Sequence, residues 1–331
     1  MTTLALDDLP RAVALLREAT DVTLLAHVRP DADALGSALA LAQVLRRRGA
    51  TVRVSFAEPA TVPESLRGLD PGLWIPATEL PESEPLLIAL DSASPARLGS
   101  LGERVGVVKR AGGRVLVVDH HASNTRYGTD NLVDDTAEAT AVLVLRLIDE
   151  LGEELDEPVA RCLYAGLVTD TGGFRRATPE THRLAGRLLA AGVDPDRVAR
   201  EVAEERPFGW LPMLAGVLAG AGLDTGAARG LGLAHAVVTD QDAAGVRLEE
   251  VESVIDVVRS VREAEVAAVF KQSGTAQWTV SLRAKSRIDV SAAARALGGG
   301  GHRLAAGCTL DGTAEQALEQ VRGALAEAPL L

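Results

Sequence analysis

The sequence predicts an α/β protein, with a parallel sheet flanked by helices in its N-terminal part and a smaller α/β domain with a mixed sheet in its C-terminal part. In the first half, short runs of Val, Leu and Ala alternate with helical patterns, which is typical of a parallel sheet. Several of these runs end directly at histidine or aspartate, where open α/β sheets gather their ligands. The mixed sheet is predicted because two strand patterns separated by a short turn follow one another near residue 270.

The length and composition of the chain allow two domains. It has 331 residues, of which 47% are hydrophobic and 3% aromatic, so its cores must consist mainly of aliphatic side chains. We expect one domain over residues 1–190 and a second over residues 226–331. A helical connector over residues 191–225 is expected between them.

Helices and strands alternate in the expected first domain. Asp7 or Asp8 can cap the first helix, and Gly49 ends the second. Residues 57–84 are rich in Pro, Glu and Gly, which indicates a loop with one short helix. The predicted helices cover residues 8–19, 34–48, 137–151, 157–168 and 180–191. The predicted strands cover residues 22–26, 52–56, 86–90 and 113–118.

Strand patterns are more closely spaced in the expected second domain. Residues 273–275, Ser-Gly-Thr, form a turn sequence that can join two strands into a hairpin. The predicted strands cover residues 230–239, 265–271, 277–285 and 308–310. The predicted helical segments cover residues 194–221, 251–261, 290–297 and 314–326.

Carboxylates and imidazoles collect at the predicted strand ends of the first domain or on the loops beside them. These candidate ligands are His27, Asp31, Asp33, Asp91, His120 and Asp170. Carboxylate oxygens with a few imidazoles suit Mn²⁺ or Mg²⁺, whereas structural zinc sites favour thiolates. Asp31 and Asp33 lie in a turning loop and can each serve a different ion, and Asp91 is well placed to bridge the two. Two ions about 3.5–4 Å apart form the clamp used in phosphoester hydrolysis.

Some of these histidines and aspartates also have a simpler interpretation. Asp33 can be no more than the N-cap of the helix that follows it. A histidine pair such as His120 and His121 can be a hydrogen-bonded core pair. His182 is predicted to be solvated on a polar helix face, and His235 to be packed in a strand. The combination favours a site, because three strand ends carry His or Asp and a further aspartate follows a helical segment.

Charge and cysteine content restrict the class of protein. The formal net charge of −12 argues against a protein that grips long nucleic acid through its phosphates. Cys162 and Cys308 form no CxxC pair, and we expect buried thiols. The N-terminal residues lack the pattern of a signal peptide, and the apolar stretches are too short to span a bilayer. We therefore expect a cytoplasmic protein with no membrane partner.

The ordered motifs resemble those of the DHH phosphoesterase superfamily. In the first half, the resemblance rests on residues 27–33 (His-x-x-x-Asp-x-Asp), Asp91, residues 119–121 (Asp-His-His) and Asp170. The C-terminal part resembles the DHHA1 domain through residues 281–285 (Ser-Leu-Arg-Ala-Lys) and residues 298–302 (Gly-Gly-Gly-Gly-His). Within the superfamily, the chain is similar to the two-domain group of nanoRNases and 3′-phosphoadenosine-5′-phosphate phosphatases. Arg176 departs from the pattern, because an aromatic residue is often found at that position.

The resemblance implies a centre for two Mn²⁺ ions, at which Mg²⁺ can substitute. The implied ligands of the first ion are His27, Asp31 and Asp91. The implied ligands of the second ion are Asp33, Asp91, His120 and Asp170. The resemblance also implies that Asp119 orients His120 and that His121 contacts a phosphoryl oxygen, so Asp119 and His121 are the expected catalytic residues outside the metal ligands.

The glycine run is the main candidate for substrate binding. Successive glycines let backbone N–H groups approach an anion, and an arginine with a histidine can grip a terminal phosphate or a base edge. The simpler interpretation is a flexible loop. The expected substrate-binding residues are Arg283, Gly299, Gly300, Gly301 and His302.

The implied activity is hydrolysis of short oligonucleotides and nucleotide bisphosphates. The expected substrates are di- to pentanucleotides, including linear products of cyclic dinucleotides and cyclic di-AMP itself, and 3′-phosphoadenosine-5′-phosphate, which would yield AMP. Two alternatives remain: a catalytically silent nucleotide-binding or sensor protein, and a phosphatase restricted to small phosphoanhydrides or nucleotides. A homodimer is also implied, and long nucleic acid is not an expected partner.

Overall fold

The computed structural model describes residues 8–331, so Asp7, one of the two predicted caps, lies outside the described residues. The chain divides into two compact units. The first unit runs to Glu205 and the second spans Arg206–Leu331. Each unit has its own sheet and its own hydrophobic core.

The sheet of the first unit is five-stranded and entirely parallel, in the order β2-β1-β3-β4-β5. Its strands are β1 (Asp21–Leu25), β2 (Thr51–Ser55), β3 (Leu86–Leu90), β4 (Arg114–Asp119) and β5 (Asp130–Val133). All five residues of β3 are buried, as the apolar run predicts for a central parallel strand. The edge strand β5 was not predicted, because only two of its four residues are apolar.

Helices accompany this sheet, and the predicted parallel α/β class is confirmed. They are α1 (Asp8–Arg17), α2 (Ala32–Arg47), α3 (Arg104–Arg110), α4 (Thr140–Leu151), α5 (Glu157–Asp170), α6 (Pro179–Ala190) and α7 (Pro195–Ala199). Short 3₁₀ segments cover Glu64–Leu69, Ala77–Glu79 and Pro95–Glu103, and a π-helical turn covers Arg200–Glu204. The loop predicted to hold one short helix therefore holds two.

Helices α2 and α5 pack closely because each presents a glycine at their contact. A Cβ on Gly36 of α2 would lie 2.5 Å from the carbonyl oxygen of Cys162 on α5. A Cβ on Gly166 of α5 would lie 2.6 Å from Oδ1 of Asp33 on α2. Both distances are shorter than any normal carbon contact, so the two glycines allow this approach. Cys162 is buried with a free thiol, as predicted.

The sheet of the second unit is six-stranded and mixed, in the order β10-β11-β9-β8-β7-β6. Its strands are β6 (Gly222–Asp224), β7 (Leu233–Val238), β8 (Val266–Gly274), β9 (Gln277–Ala284), β10 (Gly300–His302) and β11 (Ala305–Asp311). Strands β7 and β8 are parallel and the other neighbours are antiparallel. The predicted mixed sheet and the β8–β9 hairpin are confirmed.

The helices of the second unit cover both faces of this sheet in part. They are α8 (Trp210–Ala219), α9 (Ala227–Gly230), α10 (Leu248–Val258), α11 (Val290–Ala296) and α12 (Ala314–Glu327). One core contains residues of α11 and α12, and another contains residues of α8 and α10. Cys308 is buried in the former core with a free thiol.

The segment 191–225, predicted as a helical connector, is shared between the two units. Helix α7 and the π-helical turn belong to the first unit, whereas α8 and β6 belong to the second. Strand β6 pairs antiparallel with β7 over three residues, which is too short a strand for a sequence pattern to reveal.

Within residues 8–331, no helix is both long and apolar enough to cross a bilayer.

Candidate active site

His27 follows β1 directly, and its ring orientation is set by the backbone. The ring is buried, and Nδ1 lies 2.8 Å from the carbonyl oxygen of Val28, which can only accept a hydrogen bond. Nδ1 therefore carries a proton, and in the neutral ring Nε2 carries the lone pair. Nε2 lies 3.7 Å from Oδ2 of Asp31 and 3.5 Å from Oδ2 of Asp91.

Asp31, and not Asp33, caps the helix that follows. Oδ1 of Asp31 accepts the N–H groups of Asp33 and Ala34 at 3.1 and 2.9 Å, which makes Asp31 the N-cap of α2. Its other oxygen, Oδ2, faces His27. The interpretation of Asp33 as the cap of its own helix is therefore wrong, because the helix already begins at Ala32.

Asp33 lies in the first turn of α2 and is fully buried. Its Oδ2 accepts the N–H of Thr140 at 2.7 Å, and its Oδ1 accepts the N–H of Ala141 at 2.9 Å. Asp33 thus binds the first two N–H groups of α4, where the positive end of the helix dipole also stabilises a carboxylate. The side chain needs the space that Gly166 leaves on α5.

Asp91 follows β3 and points its two oxygens to different histidines. Oδ2 faces Nε2 of His27 at 3.5 Å, and Oδ1 faces Nε2 of His120 at 3.5 Å. Oδ1 also accepts the hydroxyl of Thr140 at 2.8 Å. The backbone of Asp91 has φ of +55°, a left-handed conformation that costs a non-glycine residue energy and is concentrated at functional sites.

His120 follows β4 and repeats the arrangement of His27. Nδ1 lies 3.2 Å from the carbonyl oxygen of Ala137 and therefore donates to it. Nε2 faces Asp91, and it also lies 3.1 Å from Oδ2 of Asp170. Asp170 is the last residue of α5, so the expectation that every candidate ligand lies at a strand end or on a loop is wrong for Asp170 and for Asp33.

Asp119 contacts His121. Oδ1 of Asp119 lies 2.7 Å from Nδ1 of His121, and Oδ2 accepts the side-chain N–H of Asn124 at 2.6 Å. The carbonyl of Ala137 orients the His120 ring, and the implied role of Asp119 in orienting His120 stays a prediction. Asp119 is completely buried, so its carboxylate and the Nδ1 proton of His121 are held together away from water.

Within the described first unit, three groups of side chains could each hold a cation, and all three contain Asp91. One of them is Asp91 with the hydrogen-bonded pair of Asp119 and His121, and the other two contain His27 and His120, respectively. In each group the candidate ligand atoms lie within 4.8 Å of one another. The first group is His27, Asp31 and Asp91. The second group is Asp33, Asp91 and His120, with Asp170 against the His120 ring. The donor set fits divalent cations that prefer oxygen and imidazole, because in both rings the nitrogen facing the carboxylates is the one that can offer a lone pair.

The electrostatics of the centre favour positive charge. Burial lowers the pKa of His27, but its hydrogen bonds to Asp31 and Asp91 outweigh burial and raise the pKa to about 10. Burial acts in the same way on His120, and the contacts with Asp170 and Asp91 raise its pKa to about 11. Burial raises the pKa of Asp33 well above its usual range, and the charges of Asp91 and Asp170 add to this effect. The clustered carboxylates therefore stabilise a cation beside both rings.

In the second unit, Arg283 and His302 lie on the same face of the sheet. His302 of β10 is directly opposite Ala305 of β11, which is directly opposite Arg283 of β9. Directly opposite residues of an antiparallel pair point to the same face. The small side chain of Ala305 therefore separates a guanidinium and an imidazole across three strands.

The structure gives different explanations for the presence of glycine at the four successive positions 298–301. Gly298 has φ of +79° and follows the end of α11. A Cβ on Gly299 would lie 2.1 Å from the carbonyl oxygen of Gly307, and Gly301 combines φ of +138° with a contact of 2.6 Å to Ala305. Gly300 has neither constraint, since within the described chain no atom lies within 4 Å of a Cβ built there. Its lack of a side chain is not explained by the packing of the second unit.

Three further residues of the site, Thr140, Asn124 and Gly166, are not among the candidates that the sequence patterns indicate. The sequence indicates a role for Asn124 only weakly: Asn124 follows the Asp-His-His triplet closely, and a buried carboxylate such as Asp119 needs hydrogen-bond donors. Thr140 contacts Asp91 across 49 positions of sequence, and Gly166 contacts Asp33 only through helix packing. No local pattern could have revealed the last two.

Comparison with known proteins adds family evidence to this geometry. Residues 21–167 match the model of the DHH family N-terminal domain, and residues 231–328 match the DHHA1 domain. The bifunctional oligoribonuclease and PAP phosphatase NrnA of Thermus thermophilus is 35% identical over 306 residues, 91% of this chain and 88% of that protein. The cyclic-di-AMP phosphodiesterase GdpP of Bacillus subtilis is 25% identical over 95% of this chain and 48% of that protein. An exopolyphosphatase-related protein of Bacteroides fragilis shares the fold, with a TM-score of 0.86, 22% identity and coverage of 98% of this chain and 97% of that one.

Proposed function

We propose a specific activity for this chain, which belongs to the DHH family and is a hydrolase of phosphodiester or phosphate ester bonds. In this proposal the chain degrades short oligonucleotides to mononucleotides and removes the 3′-phosphate of 3′-phosphoadenosine-5′-phosphate. The identity of 35% with a bifunctional oligoribonuclease and PAP phosphatase over most of both chains supports this pair of activities. The observation that carries the proposal is the position of Asp91, whose two oxygens face histidines of two separate candidate cation groups.

The proposed cofactor is a pair of Mn²⁺ ions, for which Mg²⁺ can substitute. His27, Asp31 and Asp91 would hold one ion. The ligands of the other would be Asp33, Asp91, His120 and Asp170. When bound, such a pair supplies a water activated near neutral pH and neutralises charge on the phosphoryl group. The protein contributes the fixed orientation of the two rings, which the carbonyls of Val28 and Ala137 maintain.

His121 and Asp119 are proposed to act on the phosphoryl group and not on the cations. The carboxylate of Asp119 holds the proton of His121 on Nδ1. Burial lowers the pKa of His121, but the hydrogen bond with Asp119 and the charge of Asp91 outweigh burial and raise it. A protonated imidazole can stabilise negative charge on a phosphoryl oxygen as the phosphorus is attacked. Asn124 fixes the other oxygen of Asp119 and so keeps the pair aligned.

The second unit is proposed to bind the nucleotide end of the substrate. Arg283 and His302 on one sheet face supply donors for a phosphate or a base edge. Gly300, which has room on its Cβ side, would let the substrate approach the backbone of β10 two residues before His302. Gly299 and Gly301 support this surface through their close contacts with β11.

The proposed function is tested by hydrolysis assays with 3′-phosphoadenosine-5′-phosphate and with di- to pentanucleotides, in Mn²⁺ and in excess chelator. We expect AMP and mononucleotides as products in Mn²⁺ and no turnover with chelator. Cyclic di-AMP and its linear dinucleotide product form a second arm, because GdpP of Bacillus subtilis is a cyclic-di-AMP phosphodiesterase. Turnover of small phosphoanhydrides alone would replace the proposal with a phosphatase of narrower range, and nucleotide binding without any turnover would replace it with a sensor.

Replacing Thr140 by valine is expected to weaken cation binding while leaving intact the two backbone hydrogen bonds that Asp33 accepts from α4. The hydroxyl of Thr140 donates to Asp91, whereas its backbone N–H, which valine keeps, serves Asp33. Loss of a hydrogen bond that orients a metal ligand raises the dissociation constant of the metal by about 10–100-fold. Calorimetric titration with Mn²⁺ measures the change. Thr140→Ser keeps the hydroxyl and is the matched control; equal affinities in all three proteins would contradict the role of Thr140.

Replacing Gly300 by alanine is expected to raise KM for short oligonucleotides about tenfold, equivalent to about 1.4 kcal/mol of binding free energy, without unfolding the second unit. The added Cβ meets no atom of the described chain, so any effect must come from the substrate. Gly323→Ala is the matched control, since Gly323 of α12 also has open space and lies far along the chain from the glycine run. Steady-state kinetics and thermal unfolding together decide the result, and an unchanged KM would remove Gly300 from the substrate surface.

A further inference from the structure

We propose that Arg175 and Arg176, on the loop after α5, bind a second phosphate of the substrate, one that is not being hydrolysed. This inference rests on the proposed function and adds a specificity-determining site to it. Neither arginine is among the candidate residues named above. The loop begins one residue after Asp170, so it borders the second cation group.

The loop has an unusual backbone that brings both guanidinium groups back towards its start. Gly172, Gly173 and Phe174 have φ of +63°, +69° and +63°, three successive residues in the left-handed region. Nε of Arg175 donates to the carbonyl oxygen of Gly172 at 2.7 Å, and Nη2 of Arg176 donates to the carbonyl oxygen of Asp170. A Cβ on Gly172 would lie 3.2 Å from Nη1 of Arg176 and 3.8 Å from Nε of Arg175. The two cationic groups therefore converge on Gly172.

Phe174 anchors the loop to the two helices that flank it. Its ring stacks on His182 of α6 with centroids 5.5 Å apart and contacts Tyr164 of α5 at 6.1 Å. Its N–H donates to the hydroxyl of Thr171 at 3.0 Å. His182, predicted to be solvated, is exposed but also serves as this stacking partner. The anchored backbone fixes where the two arginines begin, which lowers the entropic cost of binding an anion.

The charges of both arginines remain available. Within residues 8–331, neither guanidinium has a carboxylate at ion-pairing distance, and each is held by a main-chain carbonyl. By contrast, Arg183 and Arg187 on the adjacent helix α6 pair with Glu180 and Asp149. A guanidinium has five N–H donors, so a single bond to a carbonyl leaves donors for a ligand.

The acidic centre beside this loop explains why such cations would be useful. It contains five carboxylates, which two divalent cations would not neutralise, and the nucleotide substrate is itself an anion. These carboxylates are Asp31, Asp33, Asp91, Asp119 and Asp170. Exposed arginines at the border of the centre would offset this repulsion, and their planar donors match the oxygens of a phosphate. The ligand class that fits is therefore a phosphate group next to the scissile one.

The test compares two substrates that differ by one phosphate, diadenylate with and without a 5′-phosphate, in the presence of Mn²⁺. Wild-type protein is expected to have a lower KM for the phosphorylated form. The double variant Arg175→Gln/Arg176→Gln is expected to raise KM for the phosphorylated form about tenfold and to leave the unphosphorylated form within about twofold. Arg183→Gln, which removes an exposed and paired arginine from α6, is the matched control and is expected to change neither KM.

Arg176 also donates to the C-terminal turn of α5, so a variant that keeps the charge guards against loss of structure. Arg175→Lys/Arg176→Lys is expected to retain most of the preference for the phosphorylated substrate. An equal loss on both substrates, no loss on either, or a lysine variant that behaves like the glutamine variant would overturn the inference. Wild-type turnover of both substrates with the same KM would overturn it while the proposed function stands. Wild-type failure on every oligonucleotide would refute the proposed function, and the inference would fall with it.

Discussion

Replacing Asp91 by asparagine is expected to lower kcat by at least on the order of 10³-fold and to reduce the amount of Mn²⁺ that the protein retains. Asp91 is the residue shared by the two candidate cation groups, so one substitution weakens both. Asparagine keeps the size of the side chain but removes its negative charge and replaces one acceptor oxygen with an NH₂ donor. The NH₂ group would take the place of an Asp91 oxygen that now faces either Nε2 of His27 or the hydroxyl of Thr140.

The Asp91→Asn experiment needs metal analysis as well as kinetics. Retained Mn²⁺ after dialysis, measured by mass spectrometry, is expected to fall together with kcat. Asp196→Asn on α7 is the matched control, because Asp196 is exposed and pairs only with Arg200 among the described residues. Near-normal turnover and metal content in Asp91→Asn would contradict the assignment of a shared ligand.

Replacing His121 by glutamine is expected to separate the two effects, with kcat lowered by about 10²–10⁴-fold but metal content unchanged. The ring of His121 is held by Asp119 and is not one of the proposed cation ligands, although it forms a further candidate group with Asp91 and Asp119 that metal analysis must exclude. Glutamine retains hydrogen-bonding groups but cannot carry the positive charge that Asp119 favours on the imidazole. The loss should therefore fall on the chemical step.

His235→Gln is the control for this second experiment, since His235 belongs to β7 in the second unit and has no assigned role in catalysis. The measurement is kcat and KM on a dinucleotide, with metal content determined on the same samples. A loss of metal in His121→Gln would show that His121 is a ligand and would refute the separation between His120 and His121.

The strand-end residues could be predicted from the sequence because the signal is local. The buried runs before His27, Asp91 and Asp119 are apolar apart from Thr23, and a parallel sheet brings such ends to one edge. Asp33 and Asp170 were harder to place because helix boundaries depend on caps. Asp31 caps α2 and draws Asp33 into its first turn, and α5 continues two residues beyond the predicted end.

The pairing of Asp119 with His121 follows from a local feature of the sequence. Side chains two positions apart in an extended segment lie on the same side, so Asp119 should face His121 more readily than His120. The observed hydrogen bond follows this rule. By contrast, the contacts of Thr140 with Asp91 and of Gly166 with Asp33 arise from tertiary packing, which no local pattern encodes.

The hydrogen bonds between Asp33 and the start of α4 have a consequence for the lifetime of the protein. One carboxylate on α2 joins the start of α4, needs the space left by α5 and belongs to a proposed cation group, so cation binding and helix docking use the same atoms. A ligand that binds only the folded form adds about 2.7 kcal/mol to stability at a free concentration of 100 times its dissociation constant. The resistance of the first unit to proteolysis would then follow the supply of divalent cations around it. Starvation for the metal would reduce the abundance of the enzyme as well as its activity.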